Sequence, residues 1–405
     1  MPAVSPAAQH APRASGIPTV DYHTAGEPFR IVDPAAAGLP PLPGDTVAER
    51  RAALLAPGGD GTAPRPTPHD TLRRLLVQEP RGHAGMYGGF VVPPDDDGAH
   101  LGVLFWHKDG YSTACGHGTM ALGAWAVDSG LVVAPAGRDV QVRIDVPSGR
   151  VTATVHREGG RTTGVTFRNV PARVTGRGVR IGTSFGTVEA DLAHAGASYA
   201  SVRARDLGLA VDRRHLPELV RAGREIRSAL AGHPAARHPD GPLLSGVYGV
   251  ILYDELPDTP KGPHQRNVTV FADGQIDRSP CGSGTSARLA LLADDGRLAG
   301  DRELTHESVT GTVFTGRAVP GRPGSAGGAA PQAPAATERD AATTRQGAGP
   351  TADAAATERD PGPAADGARP TPDGLVTEVT GHAHRTGEHL FALDPGDSLG
   401  TGFLL

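Results

Sequence analysis

The chain has 405 residues, of which 38% are apolar and 56 are glycine, a composition typical of soluble globular proteins rather than collagen, coiled coils or wholly disordered chains. With 39 basic and 44 acidic residues, its net charge of −5 provides no basic field for a nucleic acid or an anionic membrane. The length predicts two or three domains, or one fold with insertions. No apolar run has the length of a signal peptide or a membrane span, so we expect a cytoplasmic protein with small-molecule partners.

Short β-like runs alternate with a few helical stretches in the chain before residue 321. This alternation predicts a mixed α/β or α+β fold. Apolar residues at helical spacing predict an amphipathic surface helix over residues 211–230. The clearest strand patterns cover residues 29–32, 103–106, 140–146 and 151–155.

Two segments lack the composition of folded chain. Residues 1–16 are rich in Ala, Pro and Ser, whereas residues 321–374 contain no large apolar side chain and repeat the hexapeptide AATERD. Because such segments bury too little apolar surface to offset the entropy of ordering, we predict that both are disordered. For the second segment the alternative is a tether for a partner. Alternating apolar and polar residues resume at Leu375 and return the C-terminus to the fold.

The two cysteines of the chain lie in the same local sequence. Cys115 and Cys281 each occupy the third position of Ser/Thr-x-Cys-Gly-x-Gly-Thr, and each motif leads into a helix-forming run. Two thiols are too few for a disulfide scaffold or a four-thiolate zinc site, and a reducing compartment disfavours a disulfide between them. Capping preferences predict Thr113 and Ser279 as N-caps, with Pro280 at a first helical position.

A cysteine in the first turn of a helix faces unpaired N–H groups and the positive end of the helix dipole. Both features lower the pKa of a thiol and attract a carboxylate. Two such turns, about 166 residues apart, indicate two similar halves facing each other across one site. One thiolate could remove the α-proton of an amino acid while the opposite thiol returns a proton to the other face, without a metal or organic cofactor.

Less specific interpretations of the cysteines exist. A lone cysteine in a cytosolic protein is usually a small buried hydrophobe. Cys115 and His117 as metal ligands would form a poor zinc pattern, because further Cys partners are missing. The match between the two motifs favours acid–base chemistry over these interpretations.

Several blocks of the sequence resemble the proline racemase family, which includes proline racemases, 4-hydroxyproline 2-epimerases and trans-3-hydroxyproline dehydratases. The blocks are DYHTAGEPFRIV at 21–32, CGHG at 115–118, FRNVP at 167–171, DRSPCGSGT at 277–285, and the C-terminal segments 394–397 and 402–405. The resemblance covers residues 17–318 and 375–405.

This resemblance implies an α/β fold like that of diaminopimelate epimerase, with two pseudo-symmetric halves that each wrap strands round a central helix. The first half would comprise residues 17–165, completed by the C-terminal segment 385–405. The second half would comprise residues 166–384, interrupted by the insertion at 321–374. Homodimers are frequent in the family.

The resemblance also assigns roles to residues of the site. Asp277 would meet the ring ammonium of an imino acid substrate, since a carboxylate offsets that cationic nitrogen. An Asp ahead of a helix is also a common capping residue, which is the alternative role for Asp277. The full assignment is Cys115 and Cys281 as the acid–base thiols, with Gly116, His117, Asp277, Gly282, Ser283 and Phe271 binding the substrate.

The sequence thus predicts a cofactor-independent isomerase, an epimerase for a proline-type imino acid with 4-hydroxyproline favoured. The residues ahead of Cys115 look closer to the dehydratase branch, but dehydratases of the family typically carry Thr where Cys281 stands. Because a threonine hydroxyl cannot act as an acid–base group at neutral pH, Cys281 favours two-base epimerisation. Proline racemase and trans-3-hydroxy-L-proline dehydratase remain the main alternatives, followed by a thiol-redox protein and a binding protein without turnover.

Overall fold

The structure, a computed structural model, describes residues 16–55, 67–135, 137–239, 241–319 and 374–404. The two segments predicted to be disordered lie outside these ranges, apart from Gly16 and Gly374. The described residues form five α-helices: α1 (Val47–Leu55), α2 (Pro68–Val77), α3 (Gly116–Asp128), α4 (Leu216–Ala229) and α5 (Gly282–Asp294).

The same residues form 18 β-strands. They are β1 (Ile17–Thr24), β2 (Glu27–Val32), β3 (Tyr87–Val92), β4 (Leu101–His107), β5 (Gly110–Tyr111), β6 (Val140–Val146), β7 (Gly149–Glu158), β8 (Arg161–Arg168), β9 (Arg173–Thr183), β10 (Gly186–His194), β11 (Ser198–Arg203), β12 (Val247–Thr259), β13 (Gly262–Phe271), β14 (Gln275–Asp277), β15 (Leu304–Ser308), β16 (Val313–Val319), β17 (Val376–Gly381) and β18 (Ala383–Phe391).

The mixed α/β class and the clearest sequence patterns are confirmed. All four predicted strand runs lie within β2, β4, β6 and β7, and the alternation after Leu375 forms β17 and β18. The predicted amphipathic helix is α4, which begins at Leu216 with a proline in its first turn and buries Leu219, Ala222 and Ile226. Its apolar stripe packs on β12 and β13.

One order of strand pairing occurs twice in the fold. Three antiparallel strands are joined in parallel to a two-stranded hairpin, which is joined in parallel to three more antiparallel strands. In the first half this order is β18–β1–β2, β3–β4 and β6–β7–β8. In the second half it is β9–β10–β11, β12–β13 and β15–β16–β17.

Even the short strands follow this repeat, because β5 pairs with β4 as β14 pairs with β13. Antiparallel pairing of β8 with β17 joins the two halves. We propose that the boundary between the halves lies between β8 and β9, close to the predicted boundary at residue 165. The pairing of β18 with β1 supports the assignment of the C-terminal segment to the first half.

Each half wraps its strands round one buried helix. In the first half α3 contacts β1, β2, β6, β7, β8 and β18, and in the second half α5 contacts β9, β10, β11, β16 and β17. Small residues allow this close packing, since a Cβ atom added to Gly123 of α3 would lie 2.6 Å from Cβ of Ala153 on β7. Because strands surround each central helix on most sides, the helix is buried around most of its circumference. It therefore lacks the single apolar face of an amphipathic surface helix.

The first residues of these two central helices touch each other. A Cβ atom at Gly116 would lie 2.5 Å from Cα of Gly282, and one at Gly282 would lie 2.7 Å from Cα of Gly116. Close-packed interiors leave no room for atoms at such distances, so neither position accepts a side chain without moving a backbone. The contact brings the residues that precede the two glycines, Cys115 and Cys281, to the same place.

Replacing Gly116 by alanine should therefore push the two helix starts apart. We expect Gly116→Ala to lower the free energy of unfolding by about 1–3 kcal/mol, the usual range for overpacking, as measured by urea denaturation. Gly182→Ala is the matched control, because a Cβ atom there meets nothing within 4 Å. Equal stability of the two variants would contradict a tight contact between the helices.

Candidate active site

The two cysteines are the N-cap residues of the central helices, and both side chains are buried. Each cysteine is 6% exposed, and the helices begin at the glycine that follows it. The two residues differ in backbone conformation, because Cys115 is extended whereas Cys281 has a φ of +65°. A positive φ is uncommon outside glycine and is a strained conformation typical of functional sites.

The predicted N-caps Thr113 and Ser279 are wrong by two residues, and Pro280 lies before the helix rather than in its first turn. The hydroxyl of Thr113 instead donates a hydrogen bond of 2.7 Å to the backbone oxygen of Gly196. That of Ser279 accepts a hydrogen bond of 3.1 Å from the backbone N–H of Cys281. Neither hydroxyl therefore caps the N–H groups in the first turn of a helix.

The sulfur of Cys115 lies among hydrogen-bond donors. It accepts a hydrogen bond of 3.2 Å from the backbone N–H of Gly118, and both ring nitrogens of His117 lie 3.4–3.5 Å away. Burial nevertheless raises the pKa of Cys115 well above its usual value, despite the Gly118 N–H, and the negative charges of Asp277 and Cys281 add to this. The expected lowering of the pKa by the helix start is therefore outweighed by desolvation.

At Cys281, too, desolvation outweighs the effect of the helix start on the thiol pKa. Burial, followed by the charge of Asp277, raises its pKa well above the usual value. Its thiol lies 3.9 Å from the hydroxyl of Tyr199, which is within reach of a weak sulfur hydrogen bond. Both thiols are therefore protonated at neutral pH in the protein on its own.

Asp277 lies between the segment that carries Cys281 and the start of α3. Its Oδ1 accepts hydrogen bonds from the backbone N–H and the hydroxyl of Ser279, at 2.8 and 2.6 Å. Its Oδ2 lies 3.8 Å from Nδ1 of His117. Burial raises the pKa of Asp277 to about 6, and burial together with Arg278 lowers that of His117 to about 3, so the imidazole is neutral and does not form an ion pair.

All eight predicted site residues are buried, and six of them meet at the helix contact. Ser283 follows Gly282 in the first turn of α5, and its hydroxyl has no hydrogen-bond partner among the described residues. Phe271 lies at the end of β13, with its ring centroid 5.9 Å from that of Tyr87, which in turn lies 4.9 Å from that of His117. The rings of Phe271, Tyr87 and His117 thus contact one another in sequence and form an aromatic layer that ends beside the sulfur of Cys115.

Three tyrosines of this layer are absent from the predicted site. Tyr87 and Tyr248 join their hydroxyls at 3.1 Å, Tyr87 also hydrogen-bonds Ser112, and the ring of Tyr248 stacks on that of Phe271 and contacts Tyr199. Burial raises the pKa of all three phenols, which keeps them protonated.

A sequence signal for two of these tyrosines does exist. Tyr87 and Tyr248 are each followed by glycine and stand at the start of β3 and β12, which occupy equivalent places in the two halves. A Tyr-Gly pair repeated at nearly the same spacing as the cysteine motifs would have indicated both residues.

The described residues contain no group of three or more His, Cys, Asp or Glu side chains arranged to hold a metal ion. Among them there is also no helix long and apolar enough to cross a membrane. The acid–base groups at the helix contact include two thiols, the carboxyl group of Asp277 and a neutral imidazole.

Asp277→Asn tests the buried carboxyl group through stability. Since the folded-state pKa of Asp277 is about 6 against an ordinary 3.8, its ionisation costs stability as pH rises between these values. We expect Asp277→Asn to raise the free energy of unfolding at pH 7 by about 1–3 kcal/mol, and the gain to shrink towards pH 4. Urea denaturation across this pH range measures the effect.

The control for this variant is Asp212→Asn, because hydrogen bonds lower the pKa of the partly exposed Asp212. That substitution should give no gain in stability at pH 7. A less stable Asp277→Asn protein at pH 7 would contradict the assignment of Asp277 as an uncompensated buried charge.

Comparisons with known proteins agree with this geometry. A family model described as proline racemase matches residues 19–404. A trans-3-hydroxy-L-proline dehydratase from Bacillus thuringiensis is 36% identical over 390 residues, which cover 96% of this chain and 97% of that protein. A 3-hydroxyproline 2-epimerase from Burkholderia multivorans is 42% identical over 302 residues, which cover 74% of this chain and 85% of that protein.

A solved structure has the same fold over almost its whole length. It is the crystal structure of a hydroxyproline epimerase from Agrobacterium vitis with bound trans-4-hydroxy-L-proline, with a TM-score of 0.74 and 26% identity, covering 97% of this chain and 95% of that one. The fold expected from the sequence, two similar halves of the diaminopimelate epimerase type, is confirmed. From the family model and the relatives together, this chain belongs to the proline racemase family.

Proposed function

We propose that this protein is a cofactor-independent 2-epimerase that inverts the α-carbon of a hydroxyproline, with Cys115 and Cys281 as its two bases. The observation that supports the proposal is the contact between Gly116 and Gly282, the residues that directly follow Cys115 and Cys281. Two-base inversion needs acid–base groups on opposite sides of one carbon, and a pseudo-symmetric pair of helix starts supplies them.

The reaction starts after one of the two thiols has released its proton to solvent, and from that state it conserves protons and electrons within the site. One cysteine, as thiolate, takes the α-proton, and the electron pair of the broken C–H bond moves onto the α-carbon and its carboxylate. The opposite thiol then gives its proton to the other face of the planar carbon. The first cysteine ends as a thiol and the second as a thiolate, so the enzyme is ready for the reverse direction.

The carboxylate of the substrate would bind beside the touching helix starts. Two helix N-termini in contact bring together positive dipole ends and N–H groups, which an anion beside them stabilises. The unpartnered hydroxyl of Ser283 supplies a further donor at the start of α5. These donors would also stabilise the extra charge that the carboxylate gains when the α-proton leaves.

The ring ammonium of the substrate fits beside Asp277. This carboxyl group is buried without an ion-pair partner, because His117 at 3.8 Å is neutral. A substrate cation would favour the ionised form of Asp277 and, by its charge, the thiolate form of the cysteines. The substrate itself thus helps to generate the base that attacks it.

A cluster of hydroxyl groups supports a substrate with a ring hydroxyl. The hydroxyl groups of Tyr87, Ser112 and Tyr248 hydrogen-bond one another, and the ring of Tyr87 contacts that of His117, whereas plain proline would present only CH₂ groups to them. The Agrobacterium vitis structure holds trans-4-hydroxy-L-proline, which supports 4-hydroxyproline as the first substrate to assay.

A second candidate is a reaction of trans-3-hydroxy-L-proline, favoured by the names of the relatives at 36% and 42% identity. Its dehydration needs one base, which removes the α-proton before the 3-hydroxyl leaves as water and the resulting enamine becomes a cyclic imine. The second buried thiol, Cys281, has no required role in that sequence. Its presence therefore favours epimerisation, whether the ring hydroxyl is at C3 or C4.

Two further parts of the proposal concern the setting of the enzyme. Free buried thiols fit a reducing compartment, which supports a cytoplasmic location. A homodimer is proposed from the family resemblance alone.

Serine substitution of each cysteine tests the mechanism. Because a serine hydroxyl is a very weak acid, we expect Cys115→Ser and Cys281→Ser each to lower the rate of epimerisation about 10²–10⁴-fold. Proton NMR in D₂O, with trans-4-hydroxy-L-proline and then trans-3-hydroxy-L-proline, follows the α-proton and the product diastereomer. Ser184→Ala, in the exposed turn between β9 and β10, serves as the control.

The outcomes separate the two reactions. Full activity in both cysteine variants would contradict the two-thiol mechanism. Formation of a cyclic imine, with Cys281→Ser more active than Cys115→Ser, would instead establish the dehydratase.

A further inference from the structure

The tight turn between β1 and β2, residues 24–27, contacts the segments that carry both cysteines. On one side, the hydroxyl of Thr24 donates a hydrogen bond of 2.9 Å to the backbone oxygen of His117, in the first turn of α3. On the other side, Oε2 of Glu27 accepts hydrogen bonds from the backbone N–H of Arg278 at 2.8 Å and from its guanidinium at 3.1 Å. One turn of the first half therefore holds both segments.

The carboxyl group of Glu27 is fully buried with one oxygen unpaired within the described part of the chain, which does not stabilise the fold. Its side chain is 0% exposed, and its Oε1 has no hydrogen-bond partner among the described residues. A buried carboxylate costs free energy unless its oxygens are fully paired, and an apolar replacement is often as stable. Burial, together with the charge of Asp277, also raises the pKa of Glu27 well above its ordinary value. A half-satisfied buried carboxyl group at this position points to a role in the site.

Arg278 links the turn to the acid–base groups. It directly follows Asp277 and precedes Cys281 by three residues. Its guanidinium also donates to the backbone oxygen of Gly85 at 3.0 Å, and its own backbone oxygen accepts a hydrogen bond of 3.0 Å from Thr310. With its N–H, side chain and carbonyl all held, Arg278 fixes the backbone from which Asp277 and the second thiol project.

We propose that the β1–β2 turn is a clamp that aligns the two thiols, with Thr24 and Glu27 as positioning residues. Thr24 holds the Cys115 side through His117, and Glu27 holds the Cys281 side through Arg278. Neither residue exchanges a proton with the substrate in this role. The inference rests on the proposed two-thiol epimerisation, whose geometry the clamp would maintain.

Loss of alignment has a specific signature, because a single thiolate can still remove and return the α-proton on one face. In D₂O such an enzyme places deuterium into the starting diastereomer without forming the other one. Inversion, by contrast, needs both thiols at the same carbon. The ratio of deuterium in recovered substrate to product formed therefore reports alignment, whereas a merely structural loss of active protein leaves this ratio unchanged.

The test uses the full chain with Glu27→Gln, which keeps an acceptor for the Arg278 N–H but replaces the carboxyl group by an amide, and Thr24→Val, which removes only the hydroxyl. We expect Glu27→Gln to lower kcat about tenfold or more with a smaller change in KM, as for a misplaced catalytic group. The exchange-to-inversion ratio should rise about fivefold or more in both variants. Glu378→Gln, which removes the charge that pairs with Arg317 and Arg168 on the two neighbouring strands, is the control and should change neither quantity.

The outcomes distinguish the clamp from the function. Wild-type protein that neither exchanges nor inverts any hydroxyproline overturns both proposals. Active wild-type protein with an unchanged ratio in Glu27→Gln and Thr24→Val overturns the clamp alone. Failure of both variants to fold would assign the turn a purely structural role and would also overturn the clamp.

Discussion

The site depends on the contact between the starts of two buried helices. Gly116 and Gly282 approach so closely that a Cβ atom on either would lie within 2.7 Å of the other backbone. The repeated strand order gives each half one such central helix, surrounded by its own strands. The same contact brings together two cysteines and two sets of unpaired N–H groups.

Burial sets the charge state of this site. Desolvation raises the pKa of both thiols and of Asp277 and lowers that of His117, so each group favours its uncharged form. A zwitterionic imino acid brings one negative and one positive charge, which match the helix starts and Asp277. The charges needed for catalysis then form in the presence of the substrate, where they are compensated.

Much of the site could be predicted from the sequence, because the chemistry lies in short contiguous motifs. Cys115 and Cys281 stand out as the chain's two cysteines in matching glycine-rich contexts, and the acid–base groups around them follow within a few residues. The amphipathic pattern of α4 and the alternation of the strands follow from simple periodicities. The repeat of the cysteine motif correctly indicated two similar halves.

Other features depend on contacts between distant parts of the chain, which local sequence patterns do not reveal. Tyr87, Tyr199 and Tyr248 come from three separate strands. The repeated Tyr-Gly pair marks Tyr87 and Tyr248, but nothing in the sequence around Tyr199 indicates that it joins them. The prediction of lowered thiol pKa values counted the helix start but not the desolvation, which a local sequence does not reveal. The capping error at Thr113 arose because this hydroxyl pairs with Gly196, about 80 residues further along the chain.

The most direct test of the account is a crystal structure with pyrrole-2-carboxylate, a planar ring that resembles the flattened α-carbon of the reaction. The account predicts the carboxylate about 3 Å from backbone N–H groups at the starts of both α3 and α5, with the ring between the two sulfurs. A ligand bound by one helix only, or with both sulfurs on the same face of the ring, would contradict two-thiol inversion.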